Sequence, residues 1–387
     1  MEQQRIVIVG AGAAGLSAAA TVRAEGYEGP LTIINGEVHR PYNRTLVNKG
    51  VLSGLLTAEQ IAQPGSSALD ADAIQGKAGS VDPDLAILTL EDGRRLRYDA
   101  LIAASGSAPQ LSDHAAAISE RVFHLHTVDD ADRLRAQFAK DPGGLTVTIL
   151  GAGFIGSEVA SSMSEAGAHV HLVSRSSMPL ASALGEHIAA RITELHSNHV
   201  TTHFGQSFTN ISTGSDSATV TLSDGRVLES DVVLIAHGTK PNTAWLTGGD
   251  GGIAVDSRLR SRDYRGVYAA GSIALHTART GQLYRIDHWD AAVAQGAHAA
   301  RAALHDLHGA PDPAAYTPDS GFTVTLYQHS AAAYGAAMPG VTERHHDTGS
   351  TEALLTSFHN TDGAMIAVAG LNAFPQLFTA CAQLRTP

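Results

Sequence analysis

Two copies of one pattern, a short β-branched run feeding Gly-x-Gly-x-x-Gly and then a helical stretch, predict an α/β fold with two Rossmann-like dinucleotide-binding domains. A switch to short-strand periodicity near the C-terminus adds a small α+β domain. The first copy is Arg5-Ile6-Val7-Ile8-Val9-Gly10-Ala11-Gly12-Ala13-Ala14-Gly15, followed by an alanine-rich helix from Leu16 to Ala24. The second is the strand Thr146–Leu150 followed by Gly151-Ala152-Gly153-Phe154-Ile155-Gly156 and a helix through Ser157-Glu158-Val159-Ala160. The glycines have separate tasks. Gly10 permits the tight turn out of the strand, Gly12 lets backbone approach a pyrophosphate, and Gly15 lets the helix pack close to the strand. Phosphates then meet N–H groups at the helix N-terminus. Two such sites in one chain imply electron transfer from one bound nucleotide to the other.

Composition bounds the rest. The chain has 387 residues, 43% hydrophobic and 17% charged, which suits a soluble α/β protein of two or three domains. A formal net charge of −12 argues against a general nucleic-acid or acidic-membrane binder. With Cys381 as its one cysteine, the chain offers no intrachain disulfide, no Cys-x-x-Cys pair and no cysteine metal cluster. The first strand starts a few residues after Met1, and no apolar run reaches membrane-spanning length, so a cytoplasmic location is expected. The 20 histidines are scattered; His196, His199 and His203 are loosely ligand-like in spacing, and His345-His346 are adjacent. Neither group has a carboxylate or cysteine at zinc-site spacing, so no metal is expected and most histidines are assigned to the surface.

In chain order, residues 5–9 read as a strand, 13–25 as a helix and 31–34 as a strand. An acid about 20 residues past the glycines reads a ribose hydroxyl; Glu37 is near that spacing and is either that reader or a loop surface glutamate. Arg40-Pro41-Tyr42-Asn43-Arg44-Thr45-Leu46-Val47-Asn48-Lys49 begins with Pro and Tyr, so it is not a regular helix throughout, and it carries Arg44 and Lys49 close together. Residues 85–97 read as a β-hairpin around Glu91-Asp92-Gly93. Residues 98–106 read as a strand ending in small residues, and 129–139 as a helix. After the second fingerprint come a strand at 169–173, a helix at 182–198, strands at 218–222 and 231–235, and Gly238-Thr239-Lys240-Pro241-Asn242 as closure. Val267–Ser272 is a strand ending in a ligand-facing turn. His288-Trp289 precede a helix from about Asp290 to His305, and 310–318 is a linker. Strands at 322–327, 331–336, 352–358 and 364–369 and a helix at 374–384 form the terminal domain.

The second ribose reader carries different chemistry. An acid after strand 169–173 would bind the 2′-hydroxyl of NAD and repel a 2′-phosphate. Ser174-Arg175 offer a hydroxyl and a guanidinium instead. The charge logic favours NADPH, with NADH admissible; an exposed arginine without a role is the bland alternative.

The ordered set of motifs resembles the two-dinucleotide flavoprotein reductases, of glutathione-reductase-like fold. The branch it is most similar to is the ferredoxin and rubredoxin reductases that feed haem monooxygenases, Rieske oxygenases and alkane hydroxylases; apoptosis-inducing factor shares the fold. The likeness covers nearly the whole chain and weakens after about residue 320. It implies an FAD domain at 1–112 and 244–318, an NAD(P) domain at 113–243 and a C-terminal α+β domain at 319–387. Gly10, Gly12, Ala14 and Gly15 then hold FAD, with Glu37 and Arg44 nearby. Ala78 matches a position whose backbone meets the adenine, and Ala104-Ser105-Gly106 stands for Ala-Thr-Gly. Trp289, Ala292 and Gln295-Gly296 match His-Trp-x-x-Ala-x-x-Gln-Gly. Gly151, Gly153, Ile155, Gly156, Ser174, Arg175 and Gly238 fall to the pyridine nucleotide. Residues 41–49 resemble Pro-Tyr-x-Arg-Pro-x-Leu-Ser-Lys, with Thr45 and Asn48 as departures. Lys49 falls on the lysine near flavin N5 and Glu158 on its partner glutamate, which makes these two the catalytic pair.

Three departures alter the flavin's surroundings. Ser272 replaces the aspartate that holds a ribityl hydroxyl, leaving a hydrogen bond without charge assistance, and FAD is expected to bind more weakly. His126 replaces an arginine. Thr325-Leu326-Tyr327-Gln328-His329 replaces Phe-Trp-Ser-Asp-Gln, so Leu326 is expected where the ring-wall tryptophan stands. Three activities compete. One is an NADPH-dependent reductase of a ferredoxin- or rubredoxin-type protein, monomeric or homodimeric. A second is a specialised flavin oxidoreductase acting on a small molecule, a quinone or oxygen. The third is a redox-sensing flavoprotein. Disulfide reduction is excluded by the missing cysteine pair.

Overall fold

The computed structural model describes residues 4–110, 119–138, 144–278, 281–318, 321–335 and 340–384. Its contacts divide the chain into two compact units. The first comprises Met1–Arg44, Ala58–Ala108 and Thr239–Ser320; the second comprises Thr45–Thr57, Pro109–Gly238 and Gly321–Pro387.

The first unit is built on a five-stranded sheet in the order Val267–Ala269, Ala100–Ala103, Ile6–Val9, Leu31–Asn35, Asp72–Gln75. All its neighbours are parallel, with Ile8 opposite Ile33 on one side and Ile102 on the other. Strands covered on both faces read as unbroken apolar runs rather than alternation, and all four residues of Ile6–Val9 and of Ala100–Ala103 are buried. The helix Ala13–Ala24 packs against the long helix Trp289–His308, and small residues make the crossing possible. A Cβ on Gly296 would lie 2.1 Å from the Ala14 carbonyl oxygen. The predicted hairpin forms from Ile87–Leu90 and Arg95–Arg97 and is joined by Ala78–Asp82, with Ala78 opposite Leu90.

The second unit repeats the plan. Its parallel sheet runs Thr201–Phe204, His169–Ser174, Thr146–Leu150, Val232–Ile235, Val122–His124. The same unit holds the C-terminal five-stranded antiparallel sheet, ordered Gly321–Leu326, His329–Gly335, Met365–Leu371, Leu354–His359, Thr342–His346, with the helix Phe374–Leu384 on it. Leu184, Ile188 and Ile192 share one apolar core with Val324, Leu326 and Phe358.

Several expectations are corrected. The helix expected at 182–198 is two helices, Ala181–Leu184 and Glu186–His199, separated at Gly185. Gly185 has φ +84°, and a Cβ there would meet Glu343 Oε2 at 2.7 Å. The Glu343 carboxylate accepts the Glu186 N–H at 3.1 Å, which caps the second helix. Strand Thr342–His346 went unforeseen because it is a largely exposed edge strand with no apolar alternation. The surface assignment of the histidines fails for three: among the described residues His196, His203 and His276 are buried, and the others are partly or fully exposed. His196 and His199 meet at one ring, and His203 does not join them. His196 Nδ1 meets the Tyr327 hydroxyl at 2.9 Å, His199 stacks on the Tyr327 ring, and His203 Nε2 meets His171 Nδ1 at 3.1 Å.

Burial has a pH consequence. Desolvation pushes His196 of the second unit down to about 4, with the neighbouring His199 adding to the effect; desolvation also pushes His276 of the first unit down to about 4. An unfolded histidine titrates near its ordinary 6.5, so the unfolded chain binds more protons below that pH, and stability must fall as the pH drops from 6.5 towards 4. Each group contributes on the order of 3 kcal/mol of stability that is fully present above 6.5 and lost across this window. Thermal melts taken at intervals across it should show a falling Tm. His196→Gln and His276→Gln should each flatten that slope.

Candidate functional site

The first fingerprint folds into a cradle made of backbone. Gly10 leaves the strand at φ +111°, where a Cβ would lie 2.1 Å from the Ala104 carbonyl oxygen. That contact explains the small residues ending strand Ala100–Ala103. A Cβ on Gly15 would lie 1.8 Å from the Gly10 carbonyl oxygen. At Gly12 a Cβ would meet nothing within 4 Å. Gly12 is also the N-cap of helix Ala13–Ala24 and supplies no side-chain cap. Open space in front of an uncapped helix N-terminus suits a phosphate.

The second fingerprint has the same geometry. Gly151 has φ +112° with a would-be Cβ 2.3 Å from the Ala236 carbonyl oxygen, Gly156 meets the Gly151 carbonyl oxygen at 1.8 Å, and Gly153 meets nothing. Helix Phe154–Glu165 likewise lacks a side-chain cap at Gly153. Ile155 is partly exposed on its first turn. The residues of both units therefore fit a dinucleotide.

Other candidates lie in the same unit as the first cradle. Gly271 turns at φ +76° and donates its N–H to Gln295 Oε1 at 2.8 Å. The Ser272 carbonyl accepts from Arg285 at 3.1 Å, and Trp289 opens its helix. Gly106 turns at φ +69°. Glu37 and Arg44 are brought together as an ion pair, with the Tyr42 hydroxyl donating to the same carboxylate at 2.7 Å. The sequence placed both near the cofactor but did not foresee that they bind each other.

In the second unit, Ser174 ends its strand and accepts the Ser176 N–H at 3.2 Å, while Arg175 is exposed. His237, just past strand Val232–Ile235 and before Gly238 at φ +90°, stacks on Phe208 with ring centroids 5.1 Å apart. Burial pushes the His237 imidazole down, and the neighbouring Arg175 charge acts in the same direction. His126 sits in the turn before helix Val128–Phe138 and donates its backbone N–H to Asp130 at 3.1 Å. Burial alone would raise Asp130, but its bonds to His124 and Thr127 hold it down at about 2.

The strongest constellation is electrostatic. Val47–Val51 forms a π-helical turn, a rare geometry favoured at functional sites, and it carries Asn48 and Lys49. Lys49 forms an ion pair with Glu158 of helix Phe154–Glu165. Asn48 Nδ2 donates to Glu158 Oε2 at 2.6 Å, and the Thr325 backbone N–H donates to Oε1 at 3.0 Å. A carboxylate that is 9% exposed is thereby met by three donors from two segments. Asn48 and Thr325 escaped the sequence reading as members of this cluster. The only signal was that both lie in segments departing from the resembled pattern. Leu326 is corrected: it is 1% exposed in the apolar core of its own unit, and the strand's alternation turns Thr325 outward instead.

Among the described residues no helix is long and apolar enough to cross a membrane, and no group of three or more His, Cys, Asp or Glu could hold a metal ion.

Comparison with known proteins agrees with this geometry. Residues 4–296 match the model of the pyridine nucleotide-disulphide oxidoreductases. The chain is 28% identical to human apoptosis-inducing factor 3, over 96% of this chain and 61% of that protein, so it spans less than two thirds of that relative. It is 31% identical to rhodocoxin reductase of Rhodococcus erythropolis, over 70% of this chain and 65% of that protein. The crystal structure of a ferredoxin reductase from Rhodopseudomonas palustris superposes with a TM-score of 0.87 at 25% identity, covering 97% of this chain and 93% of that one.

Proposed function

The chain belongs to the pyridine nucleotide-disulphide oxidoreductase family, and on that premise we propose that it is an FAD-dependent NAD(P)H oxidoreductase passing electrons to a ferredoxin- or rubredoxin-type protein. The observation that carries this reading is the repeated cradle, open at Gly12 in one unit and at Gly153 in the other. FAD, when bound, accepts a hydride from reduced nicotinamide and releases electrons singly. Everything else is the work of this chain's residues.

Gly10, Gly12, Ala14 and Gly15 bring backbone and a helix N-terminus to the FAD pyrophosphate, and Gly151, Gly153, Ile155 and Gly156 do so for the pyridine nucleotide. Ala78, Ala104, Gly106, Gly271, Ser272 and Trp289 line the first site in this reading, with Glu37 and Arg44 at its ribose end. Gly238 and His126 complete the assignment. Lys49 would supply the cation that the resemblance assigns to the reacting end of the flavin, and Glu158 would keep it charged and aimed. The division into an FAD domain, an NAD(P) domain and a C-terminal domain, and a cytoplasmic location, belong to the same proposal. So does assembly as a monomer or a homodimer.

We assign NADPH as the preferred donor because Ser174 and Arg175 stand where an acid would select NAD. Losing one charge-assisted hydrogen bond costs about 1.5–3 kcal/mol, so Arg175→Ala should raise KM for NADPH roughly 10- to 100-fold. KM for NADH should hardly change. Equal effects on both would remove Arg175 from the phosphate site.

The purified protein should be yellow or take up added FAD, and its visible flavin band should bleach with NADPH under anaerobic conditions. A chain that binds no FAD sinks the proposal. One observation favours the second acceptor class: the burial of Leu326 leaves Thr325 on the exposed face where the resembled family carries an aromatic wall. Turnover with candidate ferredoxins, compared with quinones and oxygen, separates the two.

A further inference from the structure

The ion pair between Lys49 and Glu158 is held by a residue that the resembled pattern does not supply. Asn48 is 8% exposed, and its amide nitrogen lies 2.6 Å from Glu158 Oε2. Lys49 and the Thr325 N–H both take Oε1. One carboxylate oxygen is thus left to the neutral Asn48 amide, while the other is shared by the Lys49 ammonium and a backbone N–H. A carboxylate on a flexible side chain could otherwise offer either oxygen to the ammonium. Asn48 occupies one, and the fixed backbone of strand Gly321–Leu326 orients the other. The π-helical turn matters here because it ties consecutive residues to the same target: Leu52 N–H closes the turn on the Val47 carbonyl at 2.8 Å, and Asn48 and Lys49 both reach Glu158 from within it.

We infer that Asn48 is a positioning residue, which fixes the Glu158 carboxylate so that its Oε1 sets the direction of the Lys49 ammonium. The inference rests on the proposed role of Lys49 in flavin reduction and goes beyond it, since it names the residue through which that lysine is aimed. Removing the amide leaves a buried carboxylate oxygen without its donor, and the carboxylate then turns to recover a partner.

The test uses the full chain with two variants. Asn48→Ala removes the amide; Asn48→Leu removes it while keeping the branched side-chain skeleton, and carries the test should the alanine variant not fold. The first readout needs no cofactor. Acetylation of Lys49 by acetic anhydride, followed by mass spectrometry with Lys77 and Lys240 as internal references, should be several-fold faster in either variant. The second readout is the rate of flavin reduction by NADPH in a double-mutant cycle. Loss of Asn48 should slow reduction about tenfold in the wild-type background and by no more than about twofold in a Lys49→Ala background, because a residue acting through Lys49 has nothing left to act on. Unchanged Lys49 labelling, or a tenfold loss that persists without Lys49, overturns the inference. If Lys49→Ala alone reduces at the wild-type rate, the role of Lys49 fails instead. The labelling result then still decides whether Asn48 aims it.

Discussion

Gly12→Ala should yield a folded chain that has lost FAD, whereas Gly15→Ala should yield no folded chain at all. The two glycines lie three residues apart in one motif, yet their surroundings are opposite. A Cβ on Gly12 meets no protein atom within 4 Å, and its backbone is extended, so alanine fits without strain. The methyl group instead occupies the space in front of the helix N-terminus, where the pyrophosphate would lie. Far-UV circular dichroism should be unchanged, and FAD affinity should fall at least about tenfold, on the scale of a lost phosphate contact. A Cβ on Gly15 falls 1.8 Å from the Gly10 carbonyl oxygen and 3.3 Å from the Ile8 side chain. No rotamer relieves a clash with backbone. Helix Ala13–Ala24 must lift from strand Ile6–Val9, opening the first unit's core. The cost should reach the exceptional range above about 4 kcal/mol, which is a large share of a domain's stability. A Gly12→Ala protein that keeps FAD at wild-type affinity would remove the pyrophosphate from this turn.

Lys49→Ala should slow flavin reduction by NADPH severely, on the order of 100-fold or more, the scale of an electrostatic group acting at the reacting atoms. Binding of NADPH, measured separately, should change little. Removing the lysine also leaves Glu158 buried with only the Asn48 amide and the Thr325 N–H for company. An uncompensated buried charge is destabilising, so part of any loss could reflect the carboxylate rather than the lysine. Lys49→Ala combined with Glu158→Gln separates the two effects. The paired change removes both charges, so it should regain thermal stability while reduction stays slow. A wild-type reduction rate in Lys49→Ala would end the assigned role.

The sequence carried the architecture well wherever local chemistry dictates it. Strand Thr146–Leu150 and helix Phe374–Leu384 lie where periodicity put them, and Ile6–Val9 and Ala13–Ala24 differ from the reading by one residue at one end. Helix 182–198 failed at Gly185, because the break answers to Glu343, which is 157 residues from the helix N–H that it caps. Edge strand Thr342–His346 failed because exposed strands leave no apolar signature. The surface assignment failed for His196, His203 and His276 for the reverse reason: a titratable residue can be buried wherever a ring or a hydroxyl receives it, as Tyr327 receives His196.

By itself the sequence determined the two cradles. Their geometry is set by glycine spacing over six residues, and only glycine tolerates the positive φ of Gly10 and Gly151 and the close approaches of Gly15 and Gly156. The tertiary structure alone decided what surrounds Glu158. Asn48 reaches it across 110 residues and the Thr325 N–H across 167, and no local propensity encodes a contact of that separation. It also decided which way strand Gly321–Leu326 faces, since a period of two lets the core claim either side. The core claimed Leu326 and left Thr325 exposed beside Glu158, because burying the larger apolar side chain removes more surface from water.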